Sequence, residues 1–131
     1  MKKTTLLNAN ISSVISRMGH KDTLIIGDCG LPIPKKTERI DLALRKGVPS
    51  FLDTLDTILT ELCVERAVLA EEIKTASPEM YMEIVNRLNN IPVDYVSHEE
   101  LKRQTASAQA VVRTGECTPF ANVILVSGVT F

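Results

Sequence analysis

The sequence predicts an α/β sandwich with a mixed, largely parallel sheet. Three observations carry that expectation. Short apolar runs of strand length alternate with segments whose apolar residues follow a helical period. Helix-start signals precede several of the periodic segments. The last two apolar runs are separated by a polar loop with no helical pattern. That junction favours an antiparallel pair, because a parallel link needs a crossover of about a dozen residues or more.

Residues 8–18 form the first predicted helix. Ile11, Val14, Ile15 and Met18 fall at i, i+3, i+4 and i+7, and Gly19 follows as a C′ candidate. Thr23–Gly27 is a short buried strand that ends at Asp28-Cys29-Gly30-Leu31-Pro32-Ile33-Pro34, where proline and glycine break regular structure. Arg39–Leu44 is a second strand, with Ile40, Leu42 and Leu44 alternating against Asp41 and Ala43. Ser50 caps a second helix whose stripe is Leu52, Leu55, Leu59 and Leu62, widened by Phe51 and Ile58.

Val64–Ala70 is the third strand and runs into Glu71-Glu72-Ile73-Lys74. Ser77-Pro78 starts a helix bearing Tyr81, Ile84, Val85 and Leu88. Val93–Val96 is the fourth strand. Ser97-His98-Glu99-Glu100 is a capping box that opens the next helix. Ala110–Arg113 is the fifth strand, Thr114–Ala121 a polar loop, and Asn122–Val126 the last strand.

Composition narrows the function. The 131 residues suit one domain, 1–131, with a net charge of −1 and no Lys/Arg cluster, which speaks against a nucleic-acid partner. No apolar run reaches the ~18 residues of a membrane span. The opening Met1-Lys2-Lys3-Thr4-Thr5-Leu6-Leu7 starts like a signal peptide, but Asn8 and Asn10 cut the apolar stretch short. A cytoplasmic enzyme or binding domain is the expectation. Cys29, Cys63 and Cys117 show no CxxC or zinc-finger spacing, and the odd count suits reduced thiols. No GxGxxG, Walker A, GxSxG or HExxH is present, so no metal or cofactor is expected.

In open α/β sheets ligands bind beyond the carboxyl ends of the strands. Those ends carry Asp28; Glu71, Glu72 and Lys74; Ser97 and His98; and Arg113, Thr114 and the Gly115-Glu116 loop. Each is either a site residue or an ordinary loop charge. His98 is either an idle first-turn residue or a neutral imidazole, since a helix N-terminus disfavours the protonated ring. Glu71 and Glu72 are adjacent, point to opposite faces, and so do not suit a paired acid and base. Phe120, Ala121 and Asn122 place an aromatic ring beside a carboxamide, as in many sugar sites; the alternative is a packed ring and a loop-capping amide. His20 alone reads as a surface-turn histidine. His20 and Asp28 flank one short strand of ~17 Å and cannot meet within one chain. If both act, the site joins neighbouring subunits.

A resemblance sharpens this reading. It runs through Met18-Gly19-His20-Lys21-Asp22, Asp28-x-Gly30-Leu31-Pro32-Ile33-Pro34, Arg39-Ile40-Asp41-Leu42 and Gly47-Val48-Pro49-Ser50-Phe51. It continues through Ala70-Glu71-Glu72-Ile73-Lys74, Ser97-His98-Glu99, Arg113-Thr114-Gly115-Glu116-Cys117-Thr118-Pro119, Ala121–Leu125 and Gly128–Phe131. Along its whole length the chain resembles the ribose branch of the RbsD/FucU sugar mutarotase family. The fucose branch lacks the Leu-Pro-Ile-Pro pattern.

The resemblance implies a three-layer α/β/α sandwich with a mixed, mainly parallel six-stranded sheet. It implies a cofactor-free isomerase that interconverts the β-pyranose and β-furanose forms of D-ribose. It also implies homopentamers or homodecamers with active sites at subunit interfaces. His20 matches the proton-transferring histidine, and Asp28, His98 and Asn122 match sugar-binding positions, with Phe120 and Ala121 beside them. The family usually has tyrosine where this chain has Phe120. Competing expectations are a sugar-binding module with little catalysis, a purely structural ring-forming protein, or a mutarotase for another aldose such as fucose.

Overall fold

A computed structural model describes residues 1–131. Five helices and six strands follow one another as α1 (Ala9–Arg17), β1 (Thr23–Gly27), β2 (Arg39–Asp41), α2 (Phe51–Leu59), β3 (Val64–Ala70), α3 (Ile73–Ala76), α4 (Pro78–Leu88), β4 (Val93–Val96), α5 (His98–Gln104), β5 (Ala110–Arg113) and β6 (Val123–Ser127). A 3-10 turn at Thr105–Ser107 extends α5.

The sheet order is β2-β5-β1-β6-β3-β4. Pairs β2/β5, β5/β1 and β3/β4 are parallel, while β6 runs antiparallel to both its neighbours, β1 and β3. The mixed, mainly parallel six-stranded sheet is therefore present. Strands β5 and β6 do run in opposite directions, as the short connection requires, but they do not pair. Strand β1 lies between them, and the loop 114–122 crosses its end.

Alternation along the strands splits the core in two. Leu24, Ile26, Ala67, Leu69, Ala110, Val112, Val123 and Leu125 face a cluster of 20 buried residues shared with α1, α2 and α4. Ile25, Val68, Ala70, Val111 and Ile124 face a cluster of seven, closed by Leu101 of α5 and by Leu31. The result is a three-layer sandwich with one thick and one thin outer layer.

Local differences from expectation have identifiable causes. Strand β2 stops at Asp41, three residues early, because the Asp41 carboxylate accepts the Ala43 N–H and Leu44 turns onto Val48. Gly19 is not left-handed; the chain leaves α1 through extended Met18 and takes its positive φ at Lys21 instead. The buried face of α2 centres on Phe51, Thr54, Leu55 and Ile58, leaving Leu52 and Leu59 half-buried. Pro78 opens α4 as expected, but the Ser77 hydroxyl donates to the Pro119 carbonyl rather than capping the helix. Helix α3 is too short to show a period in the sequence.

Glycine is required at position 115. A Cβ there would stand 2.4 Å from the Val48 carbonyl oxygen and 2.5 Å from the Arg45 carbonyl oxygen. Gly47, at φ +78°, is left-handed but open: a Cβ there would meet nothing within 4 Å. Gly115→Ala is therefore expected to cost about 3 kcal/mol, as backbone would have to move. Gly47→Ala is expected to cost only about 1–2 kcal/mol, the penalty of a left-handed Cβ. Urea denaturation of the two variants checks the order.

Candidate functional site

Because β6 runs antiparallel to β1 and β3, its entrance lies beside their exits. Val123 pairs with Ile26 on one side and Leu69 on the other. Residues just before Val123 therefore meet those just after β1 and β3. The exits of β4 and β5 lie at the same edge of the sheet.

Asp28 and Asn122 meet through two hydrogen bonds. The Asp28 N–H donates to Asn122 Oδ1 at 2.9 Å, and Asn122 Nδ2 donates to Asp28 Oδ2 at 3.0 Å. Asp28 Oδ1 also accepts the Gly30 N–H at 2.8 Å. Asp28 remains half-buried, whereas Asn122 and Ala121 have 0% exposure. Asn122 thus meets solvent only through Asp28, and the Ala121 side chain belongs to the thick core layer.

His98 and Phe120 form a second contact, edge to face, with ring centroids 5.0 Å apart and planes at 85°. Phe120 sits in a tight turn in which the Ala121 N–H donates to the Thr118 carbonyl. Pro119 takes the second position of that turn, and Phe120 the third at φ +62°. That position is ordinarily given to glycine, so Phe120 holds backbone strain of about 1–2 kcal/mol. His98 Nδ1 is buried and has no hydrogen-bond partner within the chain. A buried polar atom of this kind marks a place where a ligand or second subunit can supply the missing bond.

Two carboxylates not singled out as site residues by the sequence hold these parts in place. Both Glu72 oxygens accept the His98 main-chain N–H, at 3.0 and 3.1 Å. That bond, donated to the charged form, holds the Glu72 carboxyl below its ordinary range. The capping box of α5 is only half formed: Ser97 Oγ accepts the Glu100 N–H, but Glu100 turns to Arg103 and Gln104. Glu71 and Glu72 lie in the turn after β3 rather than on the strand itself, so strand alternation does not set their directions; Glu71 pairs with Lys74 at 2.9 Å.

Glu116 is the second. It accepts from the Phe51 N–H at the start of α2, from the Cys117 and Thr118 N–H groups, and from the Thr118 hydroxyl. Burial pushes its carboxyl up, but the hydrogen bonds outweigh burial and leave it below the ordinary range. Arg113 completes the frame, donating from Nε to the Cys29 carbonyl at 2.9 Å and pairing with Asp41 at 3.1 Å. The bonds of Glu72 to His98, Glu116 to Phe51, and Arg113 to Cys29 and Asp41 join residues tens of positions apart, so no local pattern announces them.

His20 is at the opposite edge, before β1. It is exposed, and its Nε2 lies 2.8 Å from the Glu65 carboxylate. The structure thus brings Asp28, His98, Phe120, Ala121 and Asn122 together and leaves His20 apart. No group of three or more His, Cys, Asp and Glu side chains is arranged as a metal-ligand set.

Comparison with known proteins now bears on this arrangement. A family model described as the RbsD / FucU transport protein family matches residues 1–130. A curated D-ribose pyranase from Clostridium perfringens is 60% identical over 131 residues, covering 100% of both chains. The structure of Bacillus subtilis RbsD complexed with D-ribose matches with a TM-score of 0.97 at 42% identity, covering 100% of both chains. Fucose mutarotase from Streptococcus pneumoniae, in complex with L-fucose, shares the fold with a TM-score of 0.82 at 20% identity, covering 100% of both.

The half-buried frame has a pH signature. Glu116 titrates lower in the folded chain than its unfolded value of ~4.3. Its contribution is therefore present above that value and lost as pH falls through the lower folded value. Glu116→Gln cannot satisfy both the Phe51 and Thr118 donors and is expected to cost about 1–3 kcal/mol at neutral pH. In urea titrations the gap from wild type should narrow steadily below about pH 4.

Proposed function

The chain belongs to the RbsD / FucU family, and from that we propose that it is an isomerase interconverting the β-pyranose and β-furanose forms of D-ribose. The observation that carries the reading is identity of 60% over the full length to D-ribose pyranase. The polar and aromatic cluster at one sheet edge supports it. The reaction moves only protons and one C–O bond, so it calls for no redox or group-carrying cofactor.

Ring opening requires a base for the anomeric O–H proton and an acid for the ring oxygen. The C1–O5 bond breaks, giving the open-chain aldehyde. The C4 hydroxyl then adds to C1 and closes the furanose. An imidazole can serve both steps, releasing and taking protons near neutral pH. His20 is that group in this reading, with Glu65 holding its Nε2 and so orienting the ring.

Asp28 keeps lone pairs free to accept sugar hydroxyls while Asn122 fixes its direction. His98 Nδ1 gains its missing partner from a hydroxyl. The Phe120 ring offers a face for sugar C–H groups and no hydroxyl of its own. Since β1 separates His20 from Asp28 by ~17 Å, the site is completed by His20 of a neighbouring subunit. A homopentamer, or two paired into a homodecamer, supplies that geometry. No helix is long and apolar enough to cross a membrane, and a cytoplasmic location suits a sugar met after uptake.

Saturation-transfer NMR of D-ribose tests the reading directly. His20→Ala is expected to lower the catalysed ring exchange by about 10²–10⁴-fold; an unchanged rate overturns the assignment. Mixing unfolded and refolded His20→Ala with Asp28→Ala should restore part of the exchange, because mixed rings contain some sites with both wild-type groups. No recovery would count against a shared site. Phe120→Tyr is expected to raise the exchange rate by restoring a hydroxyl beside His98, and the absence of any gain would show that hydroxyl to be dispensable.

A further inference from the structure

Two of the three cysteines stand together at the rim of this edge. Cys29 directly follows Asp28, and Cys117 lies in the loop that leads to Phe120. Their sulfurs are 3.6 Å apart although 88 residues separate them in sequence. Main-chain bonds hold the approach: the Cys29 N–H donates to the Glu116 carbonyl at 2.8 Å, and Arg113 Nε donates to the Cys29 carbonyl at 2.9 Å. Cys117 is exposed and Cys29 half-buried. Cys63 is remote, at the entrance to β3 on the opposite edge, where its thiol donates to the Val129 carbonyl.

We propose that Cys29 and Cys117 are an oxidisable dithiol that reacts with a low-molecular-weight disulfide to form an intramolecular bond tying the Asp28 loop to the Phe120 loop. The sulfurs need to close by only about 1.5 Å to reach bonding distance. The hydrogen bond to Cys117, then burial and the nearby Asp28 charge, hold the Cys29 thiol above its ordinary range despite Arg113. Exposed Cys117 is therefore the first to react.

The chemistry is thiol–disulfide exchange. The Cys117 thiolate attacks one sulfur of RSSR, forming a Cys117–SR mixed disulfide and releasing RS⁻, which takes up the proton Cys117 gave. Cys29 then loses its proton, its sulfur attacks the Cys117 sulfur, and the second RS⁻ leaves and is protonated. Two protein thiols are oxidised and one RSSR is reduced to two RSH. The bond restrains both loops against adjusting to a bound sugar, so sugar exchange slows when it forms. That consequence rests on the sugar-site reading above; formation of the bond does not.

The test uses the full chain, oxidised glutathione as the probe, and alkylation with intact-mass counting of the thiols that remain. Wild type and Cys63→Ser should each lose two thiols with no retained glutathione, and wild type should keep an alkylated Cys63. Cys29→Ser and Cys117→Ser should form no such internal bond. A wild-type chain that stops at a glutathione adduct, pairs through Cys63 or crosslinks to a second chain overturns the proposal. In parallel, NMR exchange of D-ribose should slow severalfold on oxidation and recover with dithiothreitol, in wild type and Cys63→Ser alike. A bond that forms without changing the rate overturns its coupling to the site. Absence of catalysed exchange even in the reduced chain counts against the ribose reading, and the mass measurement still decides the bond.

Discussion

One buried carboxamide organises the edge at which β1, β5 and β6 meet. Asn122 has no exposed surface, so its amide and carbonyl must both be answered inside the protein. Asp28, 94 residues away, answers both, with its main-chain N–H and its carboxylate. The choice propagates. Glycine at position 27 leaves room for this pairing: a Cβ there would come within 3.1 Å of the Asn122 carbonyl and 2.7 Å of the Leu31 side-chain tip, so both would have to shift. The freed Gly27 carbonyl takes the Thr114 hydroxyl at 2.8 Å and the Thr114 N–H at 3.0 Å. The ends of β1, β5 and β6 are thereby set as one unit, and the half-exposed Asp28 carboxylate is aimed by the buried Asn122 amide on one oxygen and by the Gly30 N–H on the other.

The same logic is repeated at two helix starts. A helix N-terminus carries partial positive charge and unpaired N–H groups. In α2 and α5 the local serine cap is supplemented by a carboxylate from another strand end, Glu116 at Phe51 and Glu72 at His98. Each bond ties a helix to the edge that carries the candidate site. For α5 this matters most, since the thin layer has only seven buried residues with which to hold it. His98 owes its place against Phe120 to an anchored backbone rather than to its own ring, whose Nδ1 stays unpartnered.

The sequence disclosed what is periodic or local. The limits of β1, β3, β4 and β5, the Ser50 and Ser97 caps and Pro78 at the start of α4 all follow from patterns a few residues long. Strand direction at β6 was legible from a connection lacking a helix, but its neighbour was not, because nothing local tells a strand which partner it will find. The candidate site residues were legible through strand ends and through the family resemblance. Glu72 was visible as a strand-end carboxylate and as half of an acidic pair, but not as a helix cap. Its use as a cap depends on β3 and β4 lying side by side, and Glu116 likewise depends on the loop after β5 reaching α2. The strained φ of Phe120 carries no sequence mark at all, since a type II turn normally announces itself with glycine.

The central placement of β6 also governs how the molecule can be made. Without it the sheet is two separate parallel pieces, β2-β5-β1 and β3-β4, with no strand pairing between them. The strand that joins them, β6, follows the other five in sequence. The segments before it can form helices and half-sheets, but they cannot close the sheet or bury Asn122 until β6 docks between β1 and β3. Closing the sheet is thus a step dominated by long-range contacts. Until it happens, β1 and β3 each present an open inner edge.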